Sequence, residues 1–95
     1  MKKFMFLTYG FEKPTPEIMQ AWGKWFETIK DNVIEKGHFP RGREFSKSGA
    51  KDLPFGADSI TGFVTVKAAS FEEAEKMAKT NPYISSIRVY EVMSG

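Results

Sequence analysis

Cysteine is absent from this 95-residue chain. That excludes disulfides, thiolate nucleophiles and thiolate metal sites, and it suits a reducing compartment. Histidine occurs once, at His38. One chain therefore cannot build a centre that needs two imidazoles, and the dispersed carboxylates have no ligand spacing. Neither a metal nor a cofactor is expected. A large excess of charge is also lacking: 14 Lys and Arg against 12 Asp and Glu leave +2. That is a weak basis for gripping nucleic acid or an anionic membrane. Long apolar runs are missing too. Phe4-Met5-Phe6-Leu7 is broken by Thr8, short of the about 7–15 apolar residues of a signal-peptide core and the roughly 20 of a membrane span. The expectation is a cytoplasmic protein with no nucleic acid and no membrane as partner, folded as a single domain over residues 1–95.

The residues that are present organise readily. Lys3 to Tyr9 reads as a strand with apolar residues on both faces, ended by Gly10. Thr15-Pro16-Glu17 has the chemistry of a helix start: a capping hydroxyl, a preorganised proline and an acid at the positive end of the dipole. Ile18, Trp22, Trp25, Phe26, Ile29 and Val33 recur at spacings of three and four, and Gly37 is placed as the residue that ends the helix. His38 to Lys47, interrupted by Pro40 and Gly42, is placed as an edge strand. Ser46 to Ser59 reads as a long loop, and Ile60 to Lys67 as a clear strand. Ser70-Phe71-Glu72-Glu73 is a capping box opening a second helix that Asn81-Pro82 stops; Ser86 to Met93 is the last strand.

The order β-α-β-β-α-β is that of a ferredoxin-like α+β fold, a four-stranded antiparallel sheet with two helices on one face. The other face then has no helix to cover it. A second copy packed sheet to sheet would bury both open faces, so a homodimer is expected. If Val64 and Val89 lie on that open face, a charge at either would separate the subunits.

Several stretches resemble the YCII-related family, in particular its DGPF-type members. They are Lys3-Phe4-Met5-Phe6-Leu7, the Thr15 to Trp22 helix start, Asp52-Leu53-Pro54-Phe55, Gly62-Phe63, Ser70-Phe71-Glu72-Glu73-Ala74 and Ile87 to Val92. The resemblance implies a dimeric α+β barrel. It also carries departures. Leu53 stands where the Asp-Gly-Pro-Phe signature has Gly. The His–Asp pair of some relatives is lacking, because the first helix has no His and Asn81 precedes Pro82-Tyr83. An amide cannot act as the base that a carboxylate supplies.

The candidate site residues cluster around the long loop. His38 is the side chain that ordinarily titrates near neutrality, and Asp52 and Asp58 are its acid–base companions. Phe39, Arg41, Arg43 and Phe45 share one strand parity, which would set two guanidinium groups beside two rings. Phe55 would pin the loop. Together these point to a small anionic metabolite held by Arg41 and Arg43, walled by Phe39, Phe45 or Phe55, with His38, Asp52 or Asp58 moving a proton. The competing readings are a solvated histidine, a charged edge strand that resists aggregation, and a non-catalytic ligand-binding or protein-interaction module. Trp22, Trp25 and Phe26 are assigned to the core. An RNA-recognition domain shares this topology, but its third-strand motif is matched only at Gly62, Phe63 and Val64, and its stacking rings are replaced by Thr61 and Val66.

Overall fold

The computed structural model describes residues 1–54, 56 and 59–93. Its elements are β1 (Lys2–Tyr9), α1 (Pro16–Ile29), β2 (Val33–His38), β3 (Gly42–Ser46), β4 (Gly49–Leu53), β5 (Ile60–Ala68), α2 (Phe71–Lys79) and β6 (Ser86–Val92). Four strands make one sheet in the order β2-β5-β1-β6, and β3 and β4 form a separate two-stranded hairpin. Every neighbouring pair is antiparallel. This is the expected ferredoxin-like α+β class with a hairpin inserted before β5. Among the described residues, no helix is long and apolar enough to cross a membrane.

Register separates the two faces of the sheet. Phe6 lies opposite Val64 on one side and Val89 on the other, and Phe4 lies opposite Val66. Those residues join Trp25 and Ile29 of α1 and Ala74 and Ala78 of α2 in one core, with Val89 packed against it. Both helices therefore cover the same face. Trp25 ties them together through its indole N–H, which donates to the Met77 carbonyl at 2.9 Å. Both helix starts are capped as their sequences suggest. Thr15 Oγ1 accepts from the Ile18 amide, and Ser70 Oγ accepts from the Glu73 amide, each at 3.2 Å. Val64 and Val89 belong to the helix-covered face, which corrects their use as open-face positions. The opposite face presents Met5, Leu7 and Tyr9 of β1, Phe63 and Thr65 of β5, and Arg88 and Tyr90 of β6.

The first helix is shorter than its apolar stripe suggests. It ends at Ile29, and Val33 to His38 is the edge strand β2. Asn32 makes the switch. Its backbone N–H donates to the Ile29 carbonyl at 2.8 Å, its carbonyl accepts from the Lys67 amide at 2.8 Å, and its side-chain amide donates to the Lys67 carbonyl at 2.9 Å. These bonds lay the chain along β5. Gly37 is accordingly a strand residue and no helix cap. It pairs with Phe63, whose ring covers it so closely that an added Cβ would sit 2.6 Å from the ring's Cε1. Gly37→Ala must displace that ring, and overpacking of this kind costs about 1–3 kcal/mol. Denaturant melts should show the loss, and an unchanged midpoint would show that the ring moves freely.

The stretch from Ser46 to Ser59 is not one loop. Gly49–Leu53 is β4, joined to β3 by the two-residue turn Lys47-Ser48. Gly49 takes φ +127° there, a conformation that suits glycine. Arg43 lies opposite Asp52 and Glu44 opposite Lys51, so each cross-strand pair matches opposite charges. Phe55 and Asp58 lie outside the described residues.

Candidate functional site

A cleft of about 720 Å³ forms where the hairpin leaves the sheet. Its floor is the end of the open face, Tyr9 and Ile60, which lie opposite each other in register. Its walls are Phe39, Leu53 and Pro54, and its cations are Arg41, Arg43 and Lys51. Phe39 is anchored by stacking on Phe63, centroid to centroid 5.4 Å. That places the base of the hairpin on the open-face side.

The three cations are not equivalent. Arg43 is engaged, donating from Nη1 to Asp52 Oδ1 at 2.8 Å. Both side chains are largely exposed, so this pair contributes at most about 1 kcal/mol. Lys51 has Glu44 Oε2 at 3.7 Å, a loose contact. Arg41 has no ion-pair partner among the described residues. A free guanidinium above an apolar floor is suited to taking a carboxylate through two parallel hydrogen bonds. A further cation borders the floor: the Arg88 guanidinium lies 4.6 Å from the centroid of the Tyr9 ring. A hydrogen bond with Tyr90, then the proximity of Tyr9, holds it above its ordinary range.

His38 does not line this cleft. It lies opposite Gly62, which in turn pairs with Thr8, on the helix side of the sheet. There it joins Thr8, Trp22, Phe26 and Lys36 around a second cavity of about 540 Å³. Lys36 Nζ sits 4.2 Å from the centroid of the Phe26 ring. The sheet thus divides the candidate residues: Phe39, Arg41 and Arg43 on one side, His38 on the other. Phe45 lies toward the hairpin's turn, 78% exposed and outside the cleft lining. Asp52 is ion-paired with Arg43 and does not line the cleft itself. Trp22 and Phe26, assigned to the core, also wall the second cavity, and Trp25 is core. Sequence reading missed Tyr9, Lys51, Leu53 and Ile60 as cleft residues. The alternating charges of Arg43-Glu44 and Lys51-Asp52 around a short turn were the signal for the hairpin that brings Lys51 and Leu53 there.

Asn81, which precedes Pro82-Tyr83, is only 5% exposed, and its two side-chain polar atoms have no hydrogen-bond partner among the described residues. It lines neither of these two cavities. No cluster of three or more His, Asp or Glu side chains among the described residues is arranged to hold a metal ion.

The sheet order, the two helices on one face and the inserted hairpin define a ferredoxin-like α+β domain with an open sheet face. A solved protein of similar fold is 5-chloro-2-hydroxyhydroquinone dehydrochlorinase (TftG) from Burkholderia phenoliruptrix AC1100, in complex with 2,5-dihydroxybenzoquinone. The two chains are 16% identical, with a TM-score of 0.61 over 98% of this chain and 95% of the other. At that identity the likeness is one of fold, and it agrees with the fold implied by the YCII resemblance. No protein-family model matches the chain, and no curated protein matches it in sequence.

Proposed function

We propose that this chain, as a cytoplasmic protein of the YCII-related type, binds a small molecule that joins a carboxylate or similar anionic group to an apolar body. The observation that carries this reading is the cleft: Arg41 without an ion-pair partner among the described residues, and Lys51 loosely held, over the apolar surfaces of Tyr9, Phe39, Leu53 and Ile60. Its size suits a compact ligand, since small-molecule sites commonly span about 300–1,000 Å³. The fold neighbour's complex with a dihydroxylated quinone supports the same size class. The cysteine-free composition supports the location. Among the described residues the cleft is lined by no carboxylate and no imidazole, so the reading is of binding. A proton-transfer role for His38 belongs with a ligand in the second cavity.

Benzoate is a suitable probe, followed by amide chemical shifts. Shifts are expected at Arg41, Gly42, Leu53 and Ile60. Arg41→Ala should weaken binding about tenfold or more, in line with the roughly 1.5–3 kcal/mol of a hydrogen bond to a charged group. Added salt should weaken it as well. Equal affinity in Arg41→Ala, or shifts confined to Trp22 and Phe26, would remove the cleft from the argument.

A further inference from the structure

We propose that the second cavity, under α1 and beside the edge strand β2, binds a phenol and takes its hydroxyl proton. Lys36 pairs with the oxygen and His38 accepts the proton. This site is independent of the first cleft, which lies across the sheet.

The cavity exists because one row of the sheet lacks a side chain. Thr8, Gly62 and His38 lie side by side on β1, β5 and β2. A Cβ at Gly62 would come within 3.3 Å of Thr8 Oγ1 and 3.8 Å of the His38 Cα. Its absence helps to leave a space of about 540 Å³ walled by Trp22 and Phe26, enough for one substituted ring. The Trp22 and Phe26 centroids are 5.9 Å apart and their planes are tilted by 35°, which gives the space a continuous aromatic wall.

The polar groups select the ligand. Lys36 and His38 are separated by Gly37 on β2, so both point to the same side of the sheet. Among the described residues they are the only ionisable side chains lining the cavity; neither α1, β1 nor β5 turns a carboxylate or another cation into it. A cationic ligand would find no partner there. Lys36 Nζ lies 4.2 Å from the Phe26 centroid and has no ion-pair partner among the described residues. A ring laid against Phe26 therefore brings its substituent to the ammonium.

A cation beside a proton acceptor suits an acid that arrives protonated and leaves its proton behind. Carboxylic acids are already ionised at neutral pH and bring no proton, whereas alcohols hold theirs too tightly. Phenols lie between, at about 10 for a tyrosine side chain, and an ammonium within about 4–6 Å favours their anion. In the step, the phenol O–H bond breaks, an N–H bond forms on the His38 ring, and the electron pair stays on the oxygen beside Lys36. A phenol and a neutral imidazole become a phenolate and an imidazolium.

The probe is para-nitrophenol, whose anion is coloured. At a fixed pH near neutrality, adding the full chain should raise its phenolate band. Amide shifts are expected at Lys36, His38 and Gly62, and the His38 ring nitrogens should move toward the imidazolium position. Lys36→Met keeps the side-chain stem and removes the charge. It should abolish the phenolate rise and weaken binding about tenfold or more. His38→Gln keeps a hydrogen-bond acceptor that takes no proton, and its phenolate rise should be smaller. The methyl ether para-nitroanisole should bind about tenfold or more weakly than the phenol. No binding, equal binding of the ether, or an unchanged phenolate rise in Lys36→Met overturns the proposal. An equal rise in His38→Gln gives the proton to solvent and overturns the base. Shifts confined to Arg41, Leu53 and Ile60 would place the phenol in the first cleft and overturn this site, while a failure of benzoate to bind there would count against the first cleft alone.

Discussion

Trp25→Ala is expected to leave the domain barely folded. Trp25 is 3% exposed and packs against Phe6, Trp22 and Phe26 with ring centroids 6.2, 5.8 and 5.0 Å away. Truncating a buried aromatic of this size costs about 3–5 kcal/mol, because the cavity only partly collapses. A chain of 95 residues has about 5–14 kcal/mol of total stability, so one substitution removes a large share of it. The hydrogen bond to Met77 is the smaller part. That carbonyl also accepts from Thr80 Oγ1 at 2.9 Å, so losing the indole does not orphan it. Trp25→Phe keeps most of the ring volume and should cost clearly less than Trp25→Ala. Guanidinium melts of the two variants test this ordering. Equal losses would mean that the indole N–H, and not the packing, holds α1 to α2.

Much of the fold was legible because local signals and global pattern agree. Thr15 and Ser70 are caps in sequence and in structure. The alternation in Ile60 to Lys67 marked the strand but not which face the helices cover: Val64 and Val66 lie on the core face, and Val64 was expected on the open one. The end of α1 was not legible from apolar spacing, since Val33 lies four residues after Ile29 and fits either a helical stripe or the start of a strand. Turn chemistry at Asp31-Asn32 and the β-branched pair Val33-Ile34 favour the strand, and the Asn32 bonds to Lys67 settle it. This one displacement moves Gly37 from a helix end onto the edge strand, and makes His38 that strand's last residue where it was expected as the first.

The site suffered from the same displacement. His38, Arg41 and Arg43 are close in sequence, and proximity suggested one constellation. Strand register assigns His38 to the helix side of the sheet, while the chain then crosses to the open side, where Phe39 stacks on Phe63. Sequence separation of three residues says nothing about which side of a sheet a side chain occupies; pleat and register do. Tyr9, a strand-end tyrosine with no motif around it, became a cleft residue only once the hairpin rose above it.

Gly10→Ala is the second substitution with a large expected effect, because backbone and packing penalties fall on one atom. Gly10 has φ +94°, a region that L side chains rarely adopt and that costs about 1–2 kcal/mol for alanine. A Cβ there would also overlap the Ser85 hydroxyl, with Ser85 Cβ at 2.9 Å and the Ser85 backbone nitrogen at 3.1 Å. The chain cannot easily shift to make room. The Gly10 amide donates to the Ser59 carbonyl at 2.9 Å, and the Ser85 amide donates to the Tyr9 carbonyl at 3.2 Å. The Gly10 carbonyl accepts from Thr61 Oγ1 at 3.2 Å. Adding about 1–3 kcal/mol of overpacking to the backbone cost gives roughly 2–5 kcal/mol in all. A double-mutant cycle separates the two parts. In a Ser85→Gly background the cost of Gly10→Ala should fall toward the backbone part alone, about 1–2 kcal/mol. The same cost in both backgrounds would mean that the loop carrying Ser85 yields without loss, and that φ alone makes this position a glycine. Because Gly10 follows Tyr9 directly, the measurement also reports how firmly the floor of the cleft is held.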